Sequence, residues 1–158
     1  MGFKNEEKLT KWEQLKIKSR VIRSVELENL FNDDGTPFVI EVQSVSQATL
    51  DAINEKYDDM KTPRPQEWIK EARKYVDYPE DSKQYLEWKK KNKEIESMRM
   101  AELALAFLVE KPSGDTTEEQ IKELKNVLRP GDFIKIIQEG YAACGFDLDK
   151  AIEEGKNS

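Results

Sequence analysis

The chain contains no histidine. That absence removes Ser-His and Cys-His nucleophile pairs, imidazole general bases and most zinc sites. Cysteine occurs once, at Cys144, so no intrachain disulfide can form and packing alone must hold the fold, as in a reducing compartment. Cys144 lies in Ala-Ala-Cys-Gly near an expected helix C-terminus, where the dipole disfavours a thiolate, so it reads as a small packing residue. The seven glycines are scattered, and none has the spacing of a P-loop or a dinucleotide fingerprint. No apolar run approaches the roughly 18 residues that span a bilayer. The start MGFKNEEKLT lacks the apolar centre of a secretory signal, and Glu6 stands where N-myristoylation requires Ser or Thr. The expectation is a cytoplasmic protein with no membrane partner.

What is present is charge. Of 158 residues, 37% are charged and an equal share hydrophobic, enough apolar material to close one core. The net charge is -6, yet the first 24 residues carry seven Lys or Arg against three Glu. A duplex-binding domain needs an overall basic balance and a dense Lys/Arg stripe, so no nucleic-acid partner is expected and the basic start reads as a solvated helix face. Carboxylates are abundant, but nothing selects a catalytic pair, and partners such as Glu118 and Lys122 are ordinary helix-face neighbours. Around Gly35, Asn32, Asp34 and Glu41 fall at the third, fifth and twelfth places of a calcium-loop count, but Leu30 occupies the first. A hairpin turn explains those residues better. The chain is expected not to be an enzyme and to need no cofactor or metal; a metal-dependent hydrolase built only from carboxylates is the enzyme alternative.

Patterning predicts a mainly α, α+β fold: a helical domain with one short N-terminal β-hairpin. Residues 1–22 read as an amphipathic helix carrying Leu9, Trp12 and Leu15, residues 23–146 as a single helical domain, and residues 147–158 as a charged tail that frays. The hairpin is expected at about 25–43, where alternating runs flank Asn32-Asp33-Asp34-Gly35. Ser44 or Ser46 caps a helix bearing Leu50, Ile53 and Tyr57, which Pro63 and Pro65 close. A short helix with Trp68, Ile69, Ala72 and Val76 inward is expected before Pro79. Asp81 and Gln84 resemble a capping box for the longest helix, Ser82 to Glu110. Its first half is charged and solvated. From Ala101 to Val109 it is apolar all round apart from Glu102, the pattern of a core centre or of an interface. Either reading makes Leu103, Leu105, Phe107 and Leu108 important. Thr117 and Gln120 open a helix striped by Ile121, Leu124, Val127 and Leu128, and Asp132 caps a last helix bearing Ile134, Ile137 and Tyr141, ending at Gly145.

Three segments carry a resemblance: the hairpin Asn32 to Val42 with the Ser44-Val45-Ser46 that follows; Ala104 to Pro112, where an apolar helix ends in Val-Glu-Lys-Pro; and Leu124 to Phe146, containing Val127-Leu128-Arg129-Pro130-Gly131-Asp132-Phe133 and then Cys144-Gly145-Phe146. In this order they resemble the tail assembly chaperones of long-tailed bacteriophages and of prophages in Gram-positive bacteria. The resemblance implies a chaperone that binds the tape measure protein and the tail tube protein during assembly, possible homo-oligomers, and absence from the finished particle. It points to Leu103, Leu105, Phe107, Leu108, Pro130, Gly131, Asp132 and Phe133 as partner-binding residues, with core membership the alternative. A permanent tail or head-tail component is the competing reading. Family members are often made in two lengths by frameshifting, and Gly155-Lys156-Asn157 is compatible with the slippery heptamer A AAA AAC.

Overall fold

The computed structural model describes residues 8–146; the expected tail and the frameshift segment lie outside them. The elements in chain order are α1 (Lys11–Lys18), β1 (Ile22–Phe31), β2 (Pro37–Gln43), α2 (Gln47–Asp58), β3 (Gln66–Ile69), β4 (Lys74–Asp77), α3 (Lys83–Phe107), α4 (Thr117–Val127) and α5 (Pro130–Ala143). The class is α+β, with two antiparallel hairpins among the described residues rather than one.

The first hairpin forms for the expected reason. Gly35 adopts φ +86°, and Asp34 Oδ1 accepts from the Thr36 amide at 3.0 Å and its hydroxyl at 2.6 Å, closing the turn. Those two bonds favour the charged carboxylate and lower the Asp34 pKa. The strands pair from Ile22 opposite Gln43 to Phe31 opposite Pro37, with a register shift between Glu26 and Phe31. Asn29 absorbs the shift at φ 62°, a left-handed conformation that asparagine tolerates better than most residues. The strand starts at Ile22, so the expected helix over 1–22 is corrected: among the described residues it is the eight-residue α1, capped by Thr10. The chain turns extended there because Ser44 captures it, its hydroxyl donating to the Ser19 carbonyl at 2.7 Å and accepting from the Val21 amide at 2.8 Å.

A second correction concerns residues 63–81. The expected short helix is the hairpin β3–β4, in register from Gln66 opposite Asp77 to Ile69 opposite Lys74. Trp68 and Tyr75 face each other edge-on at 5.0 Å, and Gln66 bonds Asp77 at 2.9 Å. Two prolines upstream hold the chain extended, and an aromatic pair across a short turn outweighs a helical spacing of four apolar residues.

The helix caps are shifted by one position from expectation in two cases. Ser82, not Asp81, caps α3, and Thr116, not Thr117, caps α4. Asp132 is not a cap. Helix α5 begins with Pro130 as its first residue, where a missing N–H costs nothing, and Asp132 reaches back from the first turn to accept from the Arg129 amide at 3.0 Å. Helix α3 stops at Phe107, three residues before the expected Glu110, because Leu108 turns extended to bridge Val42.

The core gathers around the C-terminal half of α3. Phe107, Leu103 and Ala104 pack with Val25 and Val42 of the first hairpin, Leu50, Ile53 and Tyr57 of α2, Leu124 of α4 and Ile136 of α5. Gly140 lets α5 press directly onto the Phe107 ring. Glu102, the one charge in the apolar stretch, is 8% exposed and accepts from Lys56 Nζ at 2.8 Å, which raises the Lys56 pKa.

Candidate functional site: an apolar groove between two helices

The N-terminal half of α3 carries no buried residue before Ile95. Its Trp88, Asn92, Glu96 and Met100, four residues apart, form one ladder along the helix. Opposite stands the junction of α4 and α5, where Leu128 and Pro130 are followed by Phe133 and Ile134. Between them opens a groove of about 900 Å³ lined by Trp88, Met100, Leu128, Pro130, Phe133 and Ile134, with Lys89, Lys93 and Lys125 among its polar residues.

Each wall is held. Trp88 donates its indole N–H to the Thr62 carbonyl at 2.8 Å and packs beside Tyr85, over which the Arg64 guanidinium lies at 4.7 Å. On the other wall, Asp132 accepts from Arg129 Nε at 2.9 Å and Nη2 at 2.8 Å besides its backbone amide. This clamp ties the residue before α5 to the helix's first turn. The Arg129 hydrogen bonds hold the buried Asp132 carboxyl below the usual aspartate range. Glu96, the groove's one carboxylate, is neutralised by Lys61 and by Arg99 Nη2 at 3.0 Å, and the Lys61 bond is the leading cause of its lowered pKa. Lys89, Lys93 and Lys125 make no ion pair among the described residues, so the groove is apolar along its floor and basic at its rim.

The residues singled out in sequence divide between core and surface. Leu103, Leu105, Phe107 and Leu108 are 2%, 5%, 0% and 7% exposed, and belong to the core cluster. Pro130 and Phe133 line the groove, while Gly131 and Asp132 line a smaller concavity with Leu27, Glu28 and Asn29. Trp88, Met100, Leu128 and Ile134 were not expected there. The available signal was the four-residue ladder on α3. Helix α5 turns Ile136, Gly140 and Ala143 to the core and leaves Ile134 51% exposed.

Among the described residues no group of three Cys, Asp or Glu side chains is placed to hold a metal ion, and no helix is long and apolar enough to cross a membrane. Cys144 is half-buried and accepts from the Val45 amide at 3.4 Å, a packing role. Comparison with protein-family models, curated proteins and solved structures returned no match.

Proposed function

We propose that this protein works by binding, and that its α3/α5 groove takes an apolar helical segment of another protein. The observation that carries the reading is the groove itself: a preformed apolar trough lined by Trp88, Met100, Phe133 and Ile134 suits the anchor residues of an amphipathic helix. Its lysine rim selects segments whose apolar stripe is bordered by carboxylates.

Within that class, the order of the three sequence segments favours a tail assembly chaperone. Its clients would be the tape measure protein and the tail tube protein. A long, helical, apolar tape measure chain aggregates when unprotected, and a small partner that covers apolar stripes while presenting charge keeps it soluble.

The test is co-expression with the tape measure and tail tube proteins of the same phage or prophage, followed by co-purification. Wild type is expected to retain a client. Ile134→Asp is expected to lose it with an unchanged melting curve, because Ile134 is half-exposed and outside the core. Failure of the wild type to retain either client refutes the chaperone reading. Equal retention by Ile134→Asp removes the groove as the site, and recovery of the protein in purified particles favours a permanent tail component.

A further inference from the structure

Helix α1 buries none of its residues. Around it Leu9, Trp12, Leu15 and Ile17 are 44%, 65%, 53% and 68% exposed, and among the described residues from Lys8 to Lys18 four lysines, Lys8, Lys11, Lys16 and Lys18, stand against Glu13. A helix this short is marginal in water without packing. Elsewhere on the same chain lies a second apolar groove of about 500 Å³, between the turn end of the first hairpin and α4. Its apolar residues include Leu30, Phe38 and Val127, which are 38%, 40% and 68% exposed. Glu41, Glu110 and Glu123 also line it, and none of them makes an ion pair among the described residues. The one lysine there, Lys111, is turned inward, donating to the Leu105 and Leu108 carbonyls at 2.6 and 3.0 Å at the end of α3. The groove therefore presents acid to a visitor, and α1 presents base.

A chain's own α1 does not reach the Leu30 and Phe38 end of its groove, although Glu41, paired with Ser24, lies nearer to it. The helix hangs from the start of β1, where Ser44 holds Ser19 and Val21 and Arg20 donates to Gln43 Oε1 at 2.9 Å. An eight-residue helix is about 12 Å long, whereas Leu30 lies eight residues into the strand, about 26 Å from Ile22. We infer that the occupant is α1 of a second copy, with two molecules exchanging helices reciprocally: Trp12 and Leu15 enter the partner's groove beside Val127, and the lysines face Glu41, Glu110 and Glu123. Reciprocal exchange makes the same contact twice about a two-fold axis, so the assembly closes as a dimer. This surface shares only Leu128 with the α3/α5 groove and does not depend on the function proposed for that groove.

The full chain is to be measured by sedimentation and light scattering over a range of concentrations, as wild type, Trp12→Glu and Val127→Asp. Both substitutions fall on exposed side chains, and circular dichroism checks that each variant folds as wild type does. Wild type is expected to be a dimer that weakens as salt rises, and each variant to dissociate with a constant at least about tenfold higher. The deciding arm mixes the two variants. Val127→Asp supplies a sound helix and Trp12→Glu a sound groove, so one of the two contacts re-forms and association recovers in part. A monomeric wild type overturns the inference. So does a mixture that stays monomeric, which would place α1 against α1, and so does a Trp12→Glu variant of unchanged mass.

Discussion

Gly140→Ala tests the approach of α5 to the Phe107 ring, where an added Cβ would meet nearer atoms than at any other described glycine. On helix propensity alone the change stabilises an α5 interior position by about 1 kcal/mol. The packing opposes it: a Cβ at Gly140 would overlap Cγ, Cδ1 and Cδ2 of Phe107, the most distant of the three at only 2.6 Å. Phe107 has no room to withdraw. It is 0% exposed and wedged against Tyr141, with ring centroids 5.3 Å apart. Helices α3 and α5 must therefore separate, and overpacking of this kind costs about 1–3 kcal/mol, with three ring atoms in conflict placing it at the upper end. After the propensity gain the net loss is about 2 kcal/mol, which in a chain of this size lowers Tm by about 4–8 °C. Thermal melting of Gly140→Ala, Phe107→Leu and the double variant forms a cycle, and the double variant is expected to be more stable than the two single losses predict. A Tm that rises in Gly140→Ala would show that propensity governs this site and that the contact is not tight.

Two further outcomes follow from the core and from the α5 clamp. Leu105→Asp places a carboxylate at a 5% exposed position in the all-apolar part of α3 and is expected to cost about 3–5 kcal/mol, read as loss of the cooperative melt; an unchanged curve would mean the core lies elsewhere. The carboxyls of Asp132 and Glu96 are held below their usual values in the folded state, so their contribution is full above the ordinary carboxylate range and is lost as pH falls through the depressed folded values. Melting of wild type is expected to decline through that acidic window and that of Asp132→Asn to decline less, with equal slopes refuting the role given to the Arg129 clamp.

The first hairpin was legible because its turn is chemical: Asp34 and Gly35 form it from within four residues. The apolar end of α3 was legible because burial on every side leaves a sequence with no polar face. The second hairpin was not, since Trp68, Ile69, Ala72 and Val76 satisfy a helical count, and what decides against it is the Trp68 contact with Tyr75 across the strands. The cap positions were legible to within one residue, except at α5. There Asp132 suits a cap by type, and only the geometry of Arg129 shows that it reaches back from inside the helix. The groove was half legible. Pro130 and Phe133 stand in a conspicuous segment, while Trp88 is hidden among lysines that read as a solvated face, and the inward side of α5 depends on where Gly140 meets Phe107.

Helix α3 divides its duties along its length. No residue of α3 before Ile95 is fully buried, yet that stretch supplies Trp88, Lys89, Asn92 and Lys93 to the groove, whereas the residues from Ala101 to Phe107 hold the core. Exposed substitutions in the first stretch cost within about 0.5 kcal/mol, while those in the second are among the most damaging the fold can receive. One helix thus joins a stretch whose exposed lysines are free to vary to one that is pinned. Because Lys89 and Lys93 of that stretch stand exposed at the groove rim, its charge can be rewritten residue by residue without bringing the fold nearer its stability threshold.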